Sequence, residues 1–306
     1  PARHGARALQ QDVQVAFGDQ REWATPAWRA AATAWLDEQL AVAGAVRTGD
    51  VEQPRLRPWS TLLRAPTSHG PVWLKAGGRR TGYEAGLYEV LAELAPERVL
   101  VPLAVDAARG WVLLPDGGPP VGERLVDALP RYAELQRALA AAVARLVALG
   151  VPDMRPAVMP ERFEEALAAT APSDLHPRLE ALRPQAAAWC RRLGESAVPA
   201  SIDHNDLHGH NVLSGPRFYD WGDSVVAHPF ASMLLPLSMA APEDRAGLRD
   251  AYLEPWRDLG THAELEATLE LACRVGTIAR ALTWVRAAGA DPAWAAAPLA
   301  TLAELL

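Results

Sequence analysis

The chain has 306 residues, a net charge of −7 and a hydrophobic content of 50%. This length is enough for one large domain or two lobes with cores of their own, and the apolar content excludes a disordered chain. The acidic balance argues against a nucleic acid partner, because such proteins usually carry a basic surface. The charge remains compatible with a cationic small-molecule ligand.

Cysteine usage and apolar runs predict a cytoplasmic protein without a membrane segment. Cys190 and Cys273 are far apart and give neither a disulfide framework nor the spacing of a zinc site. The polar N-terminal residues lack the apolar core of a signal peptide. The longest apolar run, from Phe230 to Pro242, is too short to span a bilayer and is interrupted by Pro236.

The N-terminal part begins with polar residues 1–24, which we expect to form an arm or strap. Thr25 and Pro26 predict a helix start, because a hydroxyl caps the first turn and proline is favoured at the first helical position. Apolar residues with helical spacing follow until Gly44, so a helix is predicted over 25–43.

The next segment has short apolar runs separated by turn residues, and it predicts a small sheet with one helix. The helix is expected from about 82 to 94, and the strands at 57–64, 72–75, 99–105 and 110–114. Residues 115–120, Pro-Asp-Gly-Gly-Pro-Pro, break regular structure and predict a boundary between lobes.

The remainder of the chain is mainly helical. Apolar stripes with helical spacing predict helices at 132–149, 161–169, 179–193, 242–259 and 263–288.

A polar segment in this half predicts a β-hairpin. The apolar pairs Val212-Leu213 and Phe218-Tyr219 flank the turn-forming residues 214–217. In that hairpin Asn211 enters the first strand and Asp220 leaves the second, so both side chains lie at the same end.

The loop 201–213 also places His204 and Asp206 just upstream of the hairpin. Hard oxygen ligands are those that Mg²⁺ prefers, with phosphate oxygens completing its shell. Asn211 and Asp220 are therefore the candidate metal ligands.

Kinase-type phosphoryl transfer uses the same order of side chains: an aspartate at the acceptor hydroxyl, then an asparagine and a second aspartate on magnesium. With His-Asn-Asp-Leu-His-Gly-His-Asn-Val-Leu at 204–213 and Asp-Trp-Gly-Asp at 220–223, the chain resembles the aminoglycoside phosphotransferase family. That family's loop often reads His-Gly-Asp-Leu-His-Pro-Gly-Asn-Val-Leu. The resemblance covers roughly residues 55–290.

The resemblance implies an α+β, protein-kinase-like two-lobed fold. The N-terminal lobe, over 1–116, would be a small antiparallel sheet with its helix, and the C-terminal lobe, over 117–306, would be larger and mostly helical. The resemblance also implies Mg²⁺, ATP or GTP as phosphate donor, and a small-molecule hydroxyl as acceptor.

Roles for the loop residues follow from the resemblance. Asp206 would orient the acceptor hydroxyl and take its proton, while Asn211 and Asp220 would bind Mg²⁺. His204 either braces the loop through its ring nitrogens or takes part in the chemistry. Asp223 is a supporting acceptor or only a turn residue.

Lys75 and Glu84 are the corresponding candidates in the N-terminal lobe. By resemblance Lys75 would contact the α- and β-phosphates and Glu84 would hold its ammonium group, with Glu89 a weaker candidate for that role. Taken alone, Lys75 would be a surface lysine at a strand end, and Glu84 would interact favourably with the dipole of its helix.

Two further nucleotide contacts are expected in this lobe. Ser60 and Thr61 either contact phosphate or form an ordinary strand turn, because the segment lacks the glycine-rich loop of protein kinases. Backbone groups near Leu114 and Asp116 lie where the family binds the base, or they are a plain connector. A second departure follows Asp223: His228-Pro-Phe replaces the aspartate that often begins the next helix.

Three other functions remain as alternatives. His204, His208 and His210 lie within seven residues and are compatible with a zinc hydrolase. A protein kinase is the second, although Asn205 stands where such enzymes often carry arginine and the chain after Asp220 leaves little room for a peptide-binding activation segment. The third is a catalytically inactive nucleotide-binding or partner-binding module.

The sequence does not identify the molecule that accepts the phosphate. The resemblance implies an aminoglycoside or another amino sugar, with antibiotic resistance as the consequence, but relatives also act on homoserine, choline, methylthioribose, fructosamine-type adducts, and peptide or macrolide antibiotics. Some acidic residues either face an ammonium-bearing substrate or form a solvated helix face: Asp153, Glu161, Glu164 and Glu165.

Overall fold

The computed structural model describes residues 18–288 and 291–306. Within these ranges the chain divides into two compact units. The first comprises residues 18–96 and 100–117, and the second comprises 97–99, 118–288 and 291–306. The chain passes from the first unit to the second within the predicted Pro-Asp-Gly-Gly-Pro-Pro boundary.

The first unit is an antiparallel sheet with three helices among its described residues. The helices are α1 (Gln20–Trp23), α2 (Pro26–Val42) and α3 (Tyr83–Leu94), and the strands are β1 (Glu52–Leu56), β2 (Ser60–Ala65), β3 (Val72–Gly77), β4 (Ala104–Asp106) and β5 (Trp111–Pro115). The strand order is β1-β2-β3-β5-β4, so β3 lies at the centre. The first turn of α2 is capped as predicted, since Thr25 Oγ1 accepts the N–H of Trp28 at 3.2 Å.

Two strand predictions, 57–64 and 99–105, were wrong in their bounds, and the second of these strands covers only Ala104–Asp106. The strand predicted at 57–64 begins only at Ser60, because Pro58 lies in a turn closed by the bond from Arg57 N–H to Ser60 O at 2.9 Å. The strand before that turn, β1, was not predicted. It contains Pro54, which a sheet tolerates on an edge strand such as β1.

Tryptophans form much of the core of the first unit. Trp28 and Trp35 of α2 both meet Trp111 of β5 edge to face, with ring centroids 5.9 and 5.6 Å apart. The guanidinium of Arg109 covers the ring of Trp111 at 4.1 Å. These contacts make the three tryptophans packing residues of this unit.

The second unit is mostly helical. Its helices are α4 (Leu125–Leu139), α5 (Val143–Ala148), α6 (Met159–Ala168), α7 (His176–Ala181), α8 (Arg183–Gly194), α9 (Leu234–Met239), α10 (Arg245–Leu253), α11 (His262–Ala288) and α12 (Ala297–Ala303). Its strands are β6 (Ser201–Asp203), β7 (Val212–Leu213), β8 (Arg217–Phe218) and β9 (Val225–Ala227), and they form two antiparallel pairs, β6 with β9 and β7 with β8. The helix predicted at 132–149 differs most: it begins earlier, contains Pro130, and breaks into a 3₁₀ turn at 140–142.

His228 explains the departure from the family sequence after Asp223. Its Nδ1 accepts the N–H of Phe230 at 3.3 Å and so caps the 3₁₀ turn Pro229–Met233, the task an aspartate would otherwise perform. That turn packs against α11, where a Cβ on Gly276 would lie only 3.0 Å from the Cβ of Ala231. Across the described ranges we find no helix with the length and apolarity that a bilayer span requires.

Candidate active site

The loop with the predicted catalytic residues starts at the end of β6 and is anchored by buried polar side chains. Asp203 Oδ1 accepts the N–H of Asn205 and the hydroxyl of Ser232, both at 2.7 Å. The hydroxyl of Tyr132, in α4, accepts the N–H of His204 at 2.9 Å. Burial raises the pKa of Asp203 to about 6. The loop therefore leaves the strand in a fixed direction.

His204 supports the loop from inside the unit. Its side chain has no exposed surface, its Nε2 lies 2.9 Å from the carbonyl oxygen of Tyr219, and its ring packs on Trp221 with centroids 4.7 Å apart. Burial lowers the pKa of His204, so the neutral ring donates Nε2–H to that carbonyl. These contacts fit the bracing role; a direct chemical role does not fit a fully buried ring.

The hairpin forms, but its predicted register was off by one residue. Val212 lies opposite Phe218, and the N–H of Tyr219 donates to the carbonyl of Asn211 at 3.2 Å. Asn211 is thus opposite Tyr219, and Asp220 is one residue further on. The reason is a turn of three residues, 214–216, instead of four, which Gly215 permits with a φ of +85°.

Asp206 is partly exposed and held from several sides. Its Oδ2 accepts the amide Nδ2–H of Asn211 at 3.1 Å and lies 3.6 Å from Nε2 of His208. Its Oδ1 lies 3.2 Å from the guanidinium of Arg280. Burial alone would raise the pKa of Asp206, but His208 and Arg280 outweigh it and lower the pKa. The carboxylate is therefore ionised at neutral pH.

The candidate metal ligands have the right chemistry for Mg²⁺. The amide nitrogen of Asn211 is engaged by the backbone and side chain of Asp206, at 2.9 and 3.1 Å, which leaves its amide oxygen for a metal ion. Asp220 has a left-handed backbone, with a φ of +63°, and such strain in a non-glycine residue often marks a functional site. An amide oxygen and a carboxylate are the oxygen donors that Mg²⁺ takes beside phosphate oxygens.

The zinc alternative has no support in the geometry. No cluster of three or more His, Cys, Asp or Glu side chains suited to a metal ion occurs among residues 18–288 and 291–306. His204 is turned to a backbone carbonyl, and the ring of His208 meets His210 edge-on at 5.9 Å.

Arg280 is a site residue that sequence reasoning missed. It lies in α11 and donates to the carbonyl oxygen of Asn205 at 2.7 Å, besides its contact to Asp206. It also lies 3.4 Å from Asp223, whose pKa is raised to about 6 by burial and by the neighbouring Asp206. A weak signal existed, because polar residues recur at every third position of this largely apolar stretch: Thr277, Arg280, Thr283 and Arg286.

The first unit brings Lys75 and Glu84 together as predicted. Lys75 lies in the central strand β3 and Glu84 in the first turn of α3. The ammonium group is 2.6 Å from Oε2 and 2.8 Å from Oε1 of the carboxylate, and the side chains are 10% and 3% exposed. Lys75 is therefore a buried, paired lysine, which contradicts the simple alternative of a surface residue at a strand end.

Ser60 and Thr61 are both buried at the start of β2, but Thr61 is committed to the sheet. Its hydroxyl donates to the carbonyl of Arg55 and accepts from the amide of Gln53, each at 2.9 Å. The side chain of Thr61 is thus not placed for phosphate, because both contacts tie β1 to β2. The hydroxyl of Ser60 has no such contact within the described residues.

Leu114 and Asp116 also form contacts that stabilise the sheet. Leu114 pairs with Trp73 of β3, and the N–H of Asp116 donates to the carbonyl of Pro71 at 3.1 Å. The carboxylate of Asp116 accepts the indole N–H of Trp73 at 3.3 Å. The Asp116 N–H is therefore occupied and not available to the base, while a contact through the other backbone groups near Leu114 and Asp116 stays a prediction.

Most of the acidic residues considered for a cationic acceptor are neutralised by arginines. The pairs, with N–O distances of 2.7 to 2.8 Å, are Asp153 with Arg155, Glu164 with Arg183 and Glu165 with Arg162. These contacts favour the solvated helix face.

A model of the phosphotransferase enzyme family, APH, matches residues 46–267, which is most of the chain. The chain therefore belongs to this family, and it is a small-molecule phosphotransferase of the kinase type. A comparison with curated proteins gives no significant match.

Solved structures of several phosphotransferases share the fold. The apoenzyme of macrolide 2'-phosphotransferase MphH from Brachybacterium faecium is 17% identical, with a TM-score of 0.56 over 88% of this chain and 97% of that one. The GDP and kanamycin complex of APH(2")-IIia is 16% identical, with a TM-score of 0.58 over 89% and 97%. The Plasmodium vivax ethanolamine kinase is 11% identical, with a TM-score of 0.57 over 83% and 81%. At these identities the likeness establishes the fold, which is the kinase-like α+β fold that the sequence predicts.

Proposed function

We propose that this protein transfers the γ-phosphate of ATP or GTP, with Mg²⁺, to a hydroxyl group of an aminoglycoside or another amino-sugar antibiotic in the cytoplasm. The observation that carries the proposal is the state of Asp206, an ionised and partly exposed carboxylate held by Asn211, His208 and Arg280. Such a group is suited to orienting a hydroxyl and accepting its proton.

Phosphoryl transfer passes through a loose transition state, so the protein mainly aligns the reactants and neutralises charge. In the proposed reaction the acceptor oxygen forms a bond to the γ-phosphorus while the bond to the bridging oxygen of the nucleoside diphosphate breaks. The hydroxyl proton goes to Asp206. The nucleoside diphosphate leaves with the bonding electron pair.

Asn211 and Asp220 would hold the metal ion through their oxygens. When bound, Mg²⁺ supplies neutralisation of the phosphate charge. Lys75, whose ammonium group is fixed by Glu84, would add a positive charge at the α- and β-phosphates.

A metabolic small-molecule kinase is the second candidate, with an acceptor of the homoserine, choline, methylthioribose or fructosamine type. The arginine partners of Asp153, Glu164 and Glu165 favour it, because these carboxylates do not offer unpaired charge to a polycationic antibiotic. The fold is also shared with ethanolamine kinase.

The test measures Mg²⁺-dependent release of ADP or GDP from the purified protein across a panel of aminoglycosides, macrolides, choline, ethanolamine, homoserine and methylthioribose. We expect Asp206→Ala to lower turnover by about 10²-fold or more, the usual contribution of a positioned acid–base group. Asp220→Ala should abolish the magnesium-dependent reaction. Asp174→Asn, an exposed aspartate of the second unit, is the matched control.

Near-normal rates in folded Asp206 and Asp220 variants would contradict the site assignment. Antibiotic resistance is tested by expression in a sensitive bacterial host. Unchanged inhibitory concentrations, together with turnover of a metabolic acceptor, would decide for the second candidate.

A further inference from the structure

Two contacts to the loop 201–213, and a third to Asp223, come from one arginine of a distant helix. Arg280 lies 75 residues after Asn205, and its side chain is 13% exposed. One nitrogen donates to the carbonyl of Asn205 at 2.7 Å and lies 3.4 Å from Oδ2 of Asp223. The other lies 3.2 Å from Oδ1 of Asp206.

The turn that Arg280 holds is strained. Asn205 has a φ of +57°, a conformation that costs a non-glycine residue free energy and persists only where its surroundings enforce it. Its side-chain amide donates to Thr283 Oγ1 at 2.6 Å. Arg280 and Thr283, one turn apart on α11, thus bind the backbone and the side chain of Asn205.

The hydroxyl of Thr283 is saturated by these contacts. It accepts from Asn205 and from Arg286, each at 2.6 Å, and it donates to the carbonyl of Ala279 at 3.1 Å. A hydroxyl has one donor and two acceptor sites, so Thr283 has no capacity left to replace Arg280.

The charge of Arg280 is balanced locally. Asp206 and Asp223 are its counter-ions, and its guanidinium lies 5.0 Å from the ring centroid of Trp284 on the same helix. A planar guanidinium can bond separate partners with separate nitrogens, whereas a lysine ammonium is a compact point charge. Lysine at this position would keep the charge and lose part of the geometry.

We propose that Arg280 is a positioning residue, which holds the left-handed turn at Asn205 and orients the carboxylate of Asp206, so that α11 sets the geometry of the catalytic loop. The orienting role rests on the proposed function of Asp206. The holding of the turn does not, because it follows from the contact to the Asn205 carbonyl alone.

The first experiment measures amide hydrogen exchange of residues 203–211 in the full chain and needs no substrate. In Arg280→Ala we expect loop exchange to quicken by roughly tenfold or more while the rest of the second unit keeps its protection, since exchange reports local opening. Arg280→Lys should lie between this variant and wild type. Arg274→Ala is the control, because Arg274 lies on the same helix and its guanidinium packs over the ring of Trp189, 5.2 Å from the centroid.

The second experiment measures phosphate release from Mg²⁺–ATP and Mg²⁺–GTP without acceptor. We expect kcat of Arg280→Ala to fall by roughly tenfold or more with the nucleotide KM nearly unchanged, because small displacements of a catalytic group lower the rate strongly. Millimolar guanidinium should restore part of this loss in Arg280→Ala and none in the Asp206→Ala variant. A merely structural role would not respond to guanidinium.

Each outcome of the two experiments either supports or overturns the positioning role of Arg280. Wild-type loop exchange and wild-type kcat in Arg280→Ala would overturn the inference. If Arg280→Ala loses protection throughout the second unit, Arg280→Lys decides: faster exchange confined to 203–211 supports the inference, and wild-type exchange overturns it. If wild-type protein turns over no nucleotide with any acceptor, the proposed function fails, while the exchange data still decide whether Arg280 holds the turn.

Discussion

Lys75 and Glu84 bring two opposite charges into the first unit with little solvent around them. Desolvating two ions is costly, and their attraction offsets that cost only while both are present. We therefore expect the pair to fix the position of the ammonium group while it contributes little net stability, and this expectation can be measured.

Lys75→Met should lower the free energy of unfolding by about 3 kcal/mol or more, because it leaves the carboxylate of Glu84 buried without a counter-ion. The double variant Lys75→Met/Glu84→Met should recover most of that loss. Arg64→Met is the control, since the neighbouring pair of Arg64 with Glu52 is exposed and long, at 3.7 Å, and should cost under about 1 kcal/mol. Urea denaturation followed by tryptophan fluorescence measures all three, and equal losses in the single variants would refute this view of the pair.

At the scale of elements, the loop 201–213 depends on close backbone packing within the second unit. A Cβ at Gly209 would lie 1.8 Å from the carbonyl oxygen of Gly122, which is backbone and cannot rotate away. The 3₁₀ turn Gly209–Asn211 therefore fits against residues 121–124 only with glycine at this position.

Gly209→Ala should destabilise the protein by about 1–3 kcal/mol, as overpacking does, and should displace Asn211. Gly247→Ala is the matched control: Gly247 is an exposed glycine inside α10, and a new Cβ there would have no atom within 4 Å beyond the backbone of its own helix and its chain neighbours. That variant should be more stable by roughly 0.5–1 kcal/mol, because alanine is the better helix former. Thermal unfolding of both variants gives the comparison, and a neutral Gly209→Ala would show that the loop can move.

At the scale of the whole molecule, buried titratable groups set the dependence of stability on pH. Burial lowers the pKa of His228 to about 3 and raises those of Asp203 and Asp223 to about 6. Below about pH 6.5 the unfolded chain binds a proton on His228, whereas the folded protein binds it only near pH 3. The free energy of unfolding therefore decreases as the pH is lowered from about 6.5 to about 3. Asp203 and Asp223 have the opposite effect. Between about pH 6 and pH 4 they are protonated more fully in the folded protein than in the unfolded chain, so they increase the free energy of unfolding as the pH is lowered.

His228→Asn removes the titrating ring and keeps an acceptor for the N–H of Phe230. Relative to this variant, wild-type protein should lose about 3 kcal/mol of stability between pH 6.5 and pH 4, at about 1.4 kcal/mol for each pH unit. Denaturant unfolding at a series of pH values measures the difference. Parallel curves for the two proteins would mean that His228 does not carry the effect.

The loop and the hairpin show which features of the site can be predicted from the spacing of residues along the chain. Residues 204–213 and 220–223 identify the family because side-chain types at fixed short spacing define the chemistry, and the same reasoning pairs Lys75 with Glu84 across one turn and the start of one helix. The predicted register of the hairpin was wrong by one residue, because local spacing does not distinguish a four-residue turn from the three-residue turn that the positive φ of Gly215 permits.

The sequence by itself determined the family, the order of sheet and helices, and the side chains offered for phosphoryl transfer. Only the tertiary structure decided that His204 is buried and bonded to a backbone carbonyl, that Thr61 and the Asp116 N–H form hydrogen bonds within the sheet, and that Arg280 contacts the loop. The physical reason is the distance along the chain over which each effect acts. Residue spacing and turn chemistry act within a few residues. Burial and the contact between Arg280 and Asn205 arise only when segments 75 residues apart pack together.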